Sequence, residues 1–464
     1  MPGNPELQPS AGWPRALGRV IPESRARVIL IAACLVPLGL GVGLILALPQ
    51  SSDLWFYKHW ARLVTLSGIS AAYSGMPTEG YVDYPPFLLY PWKAVGHLYQ
   101  WFVDPTYDKY DMFESGTYEF LIAMVAVLFH LATGIALYWI SRVRYGARTA
   151  TAAAVLYLLN PAALYNVAYL GLPDTAHSFW LVLAFGLAEL NHPRAGWAAA
   201  ALAALTKPQA WSLMPLFAWR QLCVGGVRRT LAGLAIGGAA ATVVIAPFIF
   251  NGRLGHLLKL PSHMVELEAV LSAQAHNLWW LVSRGTGLDF PDGTLLIGPL
   301  AYRHVALLLL GASVLAVFWR ARTAGPEAML VLAAYQAFAW FCLTTRAHEN
   351  HWFFALPLAA LALPTDRRMF PIFLAVSATG FANLLLHDEY FGPKLVASLS
   401  QAVILNAQLA NSVVNLLILA VWTIWLVRPT AFARSSAAHP PSRMSHGWRL
   451  KSSGRPGPGA EEVQ

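Results

Sequence analysis

The 464-residue chain is too apolar and too sparsely charged for a water-soluble protein. Hydrophobic residues make up 57% of it and charged residues only 12%, against roughly 25% charged in an ordinary soluble domain. The formal net charge of +9 would suit nucleic acid, but in a membrane chain such an excess usually lies in cytoplasmic loops. The composition therefore excludes an ordinary soluble enzyme and predicts no nucleic-acid partner. We expect an all-α, polytopic transmembrane protein.

Apolar stretches long enough to cross a bilayer recur along the chain. The first is interpreted as an anchor because it lacks the small-residue cleavage signature of a signal peptide. A stretch between Trp197 and Trp219 is interrupted at Lys207, which predicts two short half-helices or a re-entrant pair there, and about 10–12 spans in total. The spans are predicted at residues 28–48, 118–141, 148–165, 175–190, 230–250, 302–319, 326–343, 352–364, 369–387 and 406–427.

Arginine-rich connections set the orientation of these spans, because loops rich in Lys and Arg stay in the cytoplasm. They lie within 15–27, 142–148, 220–229, 320–322, 367–368 and beyond 428. The parity of the spans then makes residues 49–117 one long external loop that carries amphipathic helices. We predict a cytoplasmic N-terminal segment, a membrane domain and a disordered cytoplasmic tail, at residues 1–27, 28–427 and 428–464.

Two carboxylates of the first external loop are candidates for a general base. Asp53 directly follows the first span, and Asp83 precedes a pair of prolines that fixes a helix entry. Each could instead serve only as a helix-start signal, Asp53 as an N-cap. The candidate substrate contacts of this loop are aromatic or imidazole side chains, namely His59, Trp60, Tyr84 and Tyr90.

Polar residues at later span ends are expected on the same external face. Asp174 opens a span and is a candidate substrate contact, or only an N-cap. Lys207, followed by Pro208 and Gln209, lies in an apolar stretch. A cation at a helix centre costs roughly 2.5–3.5 kcal/mol on insertion scales. Lys207 therefore needs an anionic or polar partner.

A dense polar group precedes a late span and supplies the remaining candidates, Arg346, His348 and Glu349. Arginine suits a phosphate bidentately, and histidine donates hydrogen bonds. Together with carboxylates on the same face, this group predicts a site for a phosphate-bearing ligand beside a general base. The sequence has no Gly-rich phosphate loop, nucleotide fingerprint or Asp-x-Asp motif, and Cys34, Cys223 and Cys342 lack zinc spacing. We therefore predict no metal and no cofactor.

These motifs resemble the GT-C superfamily of polyprenyl-phosphate-sugar-dependent glycosyltransferases, in particular the asparagine-linked-glycosylation glucosyltransferases that use dolichyl-phosphate-glucose. The resemblance extends through the hydropathy pattern over residues 28–427. Where the family typically has His-x-His-Glu-Lys, this chain has Arg346-Ala-His348-Glu349-Asn350, and its arginine bias is typical of a GC-rich bacterial homologue. The resemblance rests on Asp53 with His59-Trp60, Asp83-Tyr84-Pro85-Pro86 with Tyr90, Lys207-Pro208-Gln209, and His348-Glu349.

The resemblance implies an inverting, metal-independent hexosyltransferase of the cell membrane whose active site faces outward. Asp53 would be the general base, Asp83 a helper, and the group near His348 would hold the phosphate of a polyprenyl-phosphate-linked glucose or mannose. The acceptor hydroxyl could belong to a lipid-linked glycan, a polysaccharide or a protein. A transporter or flippase of lipid-linked sugars is the alternative, because half-helices like those around Lys207 also occur in transporters. A catalytically idle scaffold is a third possibility.

Overall fold

A computed structural model describes residues 22–48, 51–74, 82–111, 113, 116–267, 269–322 and 326–427. Within these residues the chain is almost entirely helical, with one two-stranded antiparallel sheet. The predicted helical class is confirmed, and a small β-hairpin is added to it. The predicted disordered tail at 428–464 and most of the predicted N-terminal segment lie outside the described residues.

The first half of the chain contains eight of the described α-helices. Short 3₁₀ segments cover Ile69–Ala71, Pro86–Leu88 and Pro208–Leu213, and a π-helical turn covers Tyr165–Tyr169. The helices are α1 (Glu23–Ala47), α2 (Asp53–Ser67), α3 (Leu89–Phe102), α4 (Thr117–Leu158), α5 (Pro161–Leu164), α6 (Asp174–Glu189), α7 (Pro193–Ala204) and α8 (Met214–Phe250).

The second half contains the hairpin and the remaining described helices. Strands β1 (Leu295–Ile297) and β2 (Leu300–Ala301) pair antiparallel, after a 3₁₀ turn at Gly287–Asp289. The helices are α9 (Leu254–Leu267), α10 (Leu278–Val282), α11 (Tyr302–Ala321), α12 (Pro326–Leu343), α13 (Ala355–Ala362), α14 (Met369–Leu386), α15 (Phe391–Leu399) and α16 (Gln401–Val427).

Six helical segments among the described residues are long and apolar enough to cross a membrane, so the chain is a multi-pass membrane protein. More spans were predicted than these six because some apolar stretches form shorter helices, such as α6 and α13, and others share one long helix. The six are Glu23–Ala47, Thr117–Leu158, Pro208–Phe250, Tyr302–Ala321, Met369–Leu386 and Gln401–Val427.

The two longest helices each break at a glycine. Gly146 in α4 has φ 76° and Gly226 in α8 has φ 71°, and both lie outside helical geometry. Glycine adopts positive φ without the clash that a Cβ causes. Arg148 and Arg228 lie within two positions of these breaks. Each long helix therefore consists of two helical segments joined at a break. The break lies where the sequence analysis places a basic connection.

The predicted interruption between Trp197 and Trp219 is confirmed. Helix α7 ends at Ala204, and Lys207 has extended backbone, φ −148° and ψ 146°. Proline disfavours helical geometry in the residue before it and has no N–H to continue the helix. Pro208 therefore explains why the chain leaves the helix at Lys207.

The described part of the first predicted loop folds as α2 packed against α3 and α4. The amide of Phe87 donates to the carbonyl of Leu205, with 2.8 Å between N and O. This bond ties the loop to the end of α7, and so brings the segment after Asp83 close to the helix interruption at Lys207.

The interpretation of Asp53 and Asp174 as N-caps is wrong. The N-cap of α2 is Ser52 and that of α6 is Pro173, and neither helix has a side-chain cap hydrogen bond at that position. Asp83 lies two residues before Pro85, the N-cap of the 3₁₀ segment at Pro86–Leu88. The three carboxylates are therefore available for other partners.

A close contact between α14 and the buried ring of Trp352 yields a stability prediction. A Cβ built on Gly380 would lie 2.4 Å from Cε2 of Trp352, and that side chain is only 1% exposed. We expect Gly380→Ala to lower the free energy of unfolding by about 1–3 kcal/mol, since overpacking forces neighbours to shift. Thermal unfolding in detergent measures the change. Gly39→Ala in α1, where nothing lies within 4 Å of the new methyl group, is the control, and equal stability of both variants would contradict the prediction.

Candidate active site

A cavity of about 920 Å³ opens between α2, the segment at Asp83-Tyr84, the Pro208 segment, α9, the start of α11 and the segment before Trp352. The lining also includes apolar side chains, among them Pro261, Met264, Leu267, Leu307 and Trp340. Of the predicted site residues, the cavity is lined by Asp53, Trp60, Asp83, Tyr84, Gln209, Arg346 and His348. Distant parts of the chain thus meet at one polar site that also has apolar side chains.

Asp53 is the first residue of α2 and shares a helix face with Tyr57 and Trp60, four and seven positions on. The Tyr57 hydroxyl donates to Oδ2 of Asp53, with 3.1 Å between the oxygens. Burial raises the pKa of Asp53, while the nearby positive charges of His348 and Lys207 oppose that rise. A half-buried carboxylate with a raised pKa is a better proton acceptor than a solvated one.

Asp83 is the second carboxylate of this cavity. Burial and the negative charge of Asp53 raise the pKa of Asp83 to about 7. Its Oδ1 atom is buried and has no hydrogen-bond partner among the described residues. Asp83 can therefore exchange a proton near neutral pH.

Aromatic rings form the wall beside these carboxylates. Tyr57 stacks on Trp92 with ring centroids 4.9 Å apart, and Trp60 meets the edge of Tyr84 at 5.4 Å. The hydroxyls of Tyr57 and Tyr84 are also 2.9 Å apart. This packing fixes the rings of Trp60 and Tyr84, which line the cavity as rigid amphipathic surfaces.

Lys207 and Asp174 form a buried ion pair with 2.6 Å between Nζ and Oδ1, and each side chain is only 1% exposed. Asn350 also donates to Oδ2 of Asp174 at 3.1 Å. The ammonium group lies 4.7 Å from the centroid of the Tyr84 ring. The expectation that Lys207 needs an anionic partner is confirmed, and the pair lies next to Tyr84 without itself lining the cavity.

Arg346 lines the cavity but is engaged by a carboxylate that the sequence analysis missed. Its Nε and Nη2 atoms lie 2.6 and 3.0 Å from the two oxygens of Asp292, which is fully buried. It also donates to the carbonyl of Val265 in α9. The backbone of Arg346 is left-handed, with φ 63°. Arg346 therefore joins α9 to the loop before the hairpin.

His348 contributes an imidazole whose side chain is 37% exposed. Its amide donates to Nδ1 of His351 at 3.1 Å, so the second imidazole is held with that nitrogen unprotonated. Glu349 places Oε2 at 4.0 Å from Nδ1 of His348 but is not among the residues lining the cavity. Burial raises the pKa of Glu349 to about 7.

Two predicted contacts of the first loop lie outside the cavity lining. His59 places Nδ1 at 3.5 Å from the hydroxyl of Tyr110. Tyr90 donates its hydroxyl to the carbonyl of Val244 in α8, with 2.6 Å between the oxygens. In this structure both side chains contact neighbouring parts of the protein.

Sequence reasoning also missed Arg303 and His304, which line the cavity from the first turn of α11. Nδ1 of His304 accepts a hydrogen bond from the amide of Ala301 at 3.2 Å, which leaves Nε2 as the protonated nitrogen of a neutral ring. An Arg-His pair that opens an apolar span is the same signal that drew attention to His348. The pair is less conspicuous than the group at Arg346–His351 because no further charged residue or imidazole lies beside it.

No family model matches the chain, and no curated protein matches it. Among solved structures, it is similar to the crystal structure of ArnT from Cupriavidus metallidurans bound to undecaprenyl phosphate, with a TM-score of 0.49. The two are 15% identical, over 86% of this chain and 76% of that chain.

Proposed function

We propose that the chain is a membrane glycosyltransferase that moves a glucose or mannose from a polyprenyl-phosphate donor to an acceptor hydroxyl, with inversion. One observation carries this proposal. Asp53, Asp83 and His348 line a single cavity that also has apolar side chains, in a multi-pass membrane protein. A donor of this class consists of a polar sugar phosphate, which suits the polar side chains of the cavity, and an apolar chain, which suits its apolar side chains.

The proposed reaction needs a base and stabilisation of the leaving phosphate. Asp53 takes the proton of the acceptor hydroxyl while that oxygen attacks the anomeric carbon from the face opposite the phosphate. The bond from the anomeric carbon to the phosphate oxygen breaks, and the polyprenyl phosphate leaves with its electron pair. Phosphate is already a good leaving group, so a general base and nearby cations suffice.

We assign the leaving phosphate to the basic side chains that line the cavity, His348, Arg303 and His304. Arg346, which lines the cavity, is also assigned as a phosphate contact, whereas the buried Lys207 does not reach the cavity. Because each is already paired with a carboxylate, we expect their main role to be holding the surrounding segments. Glu349, close to Nδ1 of His348, would orient that imidazole.

The remaining predicted contacts are assigned to the sugar and to the frame around it. Trp60 and Tyr84 offer ring faces for a hexose, and Gln209 offers an amide. Asp174 would hold Lys207 beside the Tyr84 ring, whereas His59 and Tyr90 would position the first-loop helices through Tyr110 and Val244. We propose that the cavity faces the external side, because the basic connections of the sequence favour the cytoplasm.

The direct test incubates the purified protein with synthetic polyprenyl-phosphate-glucose or polyprenyl-phosphate-mannose and a membrane glycolipid extract. We expect mass spectrometry to show free polyprenyl phosphate and an acceptor heavier by one hexose, with one donor preferred. If the donor remained intact whichever acceptor fraction was added, the proposal would be contradicted. In vesicles, movement of an intact labelled donor between leaflets would instead favour the flippase.

The electrostatics of Asp53 predict how the rate depends on pH. A base must be ionised, so activity is present above the pKa of Asp53 and is lost as the pH falls through it. Because the charge of His348 opposes the rise in that pKa, we expect His348→Gln to move the acid limb of kcat/KM to higher pH. A limb that stays in place or moves to lower pH would contradict the assignment. His256→Gln on the exposed side of α9 is the control and should leave the limb unchanged.

A further inference from the structure

The hairpin of β1 and β2 presents apolar side chains to its surroundings. All three residues of β1 are exposed, whereas a hairpin in water normally packs one apolar face against a core. The tip is Gly298-Pro299. The exposed fractions are 65% for Leu295, 40% for Leu296, 68% for Ile297 and 38% for Leu300.

This apolar surface is continuous with a membrane-spanning helix. Strand β2 ends at Ala301, and α11, one of the six candidate spans, begins at the next residue. Leu308 and Leu315 of that helix are 62% and 68% exposed, as expected for side chains that face lipid. Tyr302 and Arg303 stand at the junction, and Tyr and Arg are residue types that favour the boundary between membrane and water.

The base of the hairpin is joined to the cavity wall. The amide of Arg303 donates to the carbonyl of Asp292 at 3.0 Å, and the amide of Tyr302 donates to that of Thr294 at 3.1 Å. Asp292 in turn holds Arg346. Any surface that fixes the hairpin therefore also fixes the rim of the cavity.

We infer that the hairpin Leu295–Ala301 is a membrane-surface anchor whose four apolar side chains insert among the lipid acyl chains next to α11. It holds Arg303 and His304 of the cavity at the level of the lipid headgroups. A bilayer fits this surface better than a second copy of the chain, because a stable protein interface buries roughly 1,200–2,000 Å² and the hairpin exposes only four large side chains. The proposed anchor requires a membrane, and it does not depend on whether the protein is an enzyme.

Site-directed fluorescence tests the anchor. In a chain with Cys34→Ala and Cys223→Ser, Ile297→Cys is labelled with an environment-sensitive nitrobenzoxadiazole dye and the protein is placed in phosphatidylcholine nanodiscs. We expect blue-shifted emission and loss of intensity when the lipids carry a doxyl group on the acyl chain. Thr286→Cys, an exposed position of the same loop, is the matched control and should respond to aqueous iodide instead.

Two other results would overturn the anchor. Iodide quenching at Ile297→Cys equal to that at Thr286→Cys would overturn the anchor, because the hairpin would then stand in water. Emission that is shielded from both quenchers and changes with the number of chains per nanodisc would overturn it in favour of a second copy. Leu295→Cys provides a second position if Ile297→Cys does not fold. Since no hexose transfer is measured, failure of the proposed enzyme activity would leave this result unaffected.

Discussion

Asp53→Asn should abolish hexose transfer and leave a folded, membrane-inserted protein. Removing a general base typically costs roughly 100- to 10,000-fold in rate, and we expect the loss in kcat, with the KM for donor little changed. Asparagine has nearly the same shape and keeps an oxygen that can accept the hydrogen bond from Tyr57. The measurement is turnover of the preferred donor by purified protein, with thermal unfolding to verify the fold.

The matched control is Asp289→Asn, the same isosteric change at an exposed carboxylate that does not line the cavity. It should retain full activity. Asp83→Asn distinguishes the two cavity carboxylates and should cause a smaller loss, because Asp83 is assigned as a helper. Near-normal turnover by Asp53→Asn would refute the assignment of the base, and a complete loss only in Asp83→Asn would exchange the two roles.

Breaking the Lys207–Asp174 pair should lower the free energy of unfolding more than Gly380→Ala does. Removing one member of a buried ion pair leaves an uncompensated charge, which typically costs about 3–5 kcal/mol. Both side chains are almost fully buried, so water offers little replacement. We expect Asp174→Asn and Lys207→Met each to lower the midpoint of thermal unfolding in detergent strongly.

The double variant with both changes provides the sharper measurement. Because it has no orphaned charge, it should be more stable than the sum of the two single losses predicts. Simple additivity would show that the two groups do not stabilise each other. Asp289→Asn, at an exposed carboxylate, is the control and should unfold like the unmodified chain, because substitutions at exposed positions change stability little.

The sequence was informative about which residues need a partner and less so about which partner they have. A lysine beside a proline in an apolar stretch had to meet an acceptor, and it does. The acceptor is Asp174, which lies 33 positions before Lys207 in the chain. The packing of α6 against α7 brings the two residues together. Asp292 was missed for a similar reason, because Pro291-Asp292-Gly293 is a typical turn sequence and gives no sign of a distant arginine.

The membrane topology shows a second limit of pattern reading. Hydropathy located the apolar stretches, but it does not report where one helix continues through a break. In α4 the predicted spans at 118–141 and 148–165 flank the break at Gly146, but nothing in the sequence shows that the helix resumes directly beyond it. The interruption at Lys207 was foreseeable because Pro208 acts through local sterics. Local covalent constraints can be read from sequence, whereas tertiary contacts depend on the assembled fold.

The left-handed backbone at Arg346 affects how that residue should be studied. A side chain in this region of conformational space costs roughly 1–2 kcal/mol relative to glycine. Arg346→Gly would therefore relax the main chain while it removes the guanidinium, and the two effects would partly cancel in any stability measurement. Asp292→Asn leaves the backbone of Arg346 untouched, so it reports on the carboxylate charge that pairs with the guanidinium and accepts from the Thr345 hydroxyl.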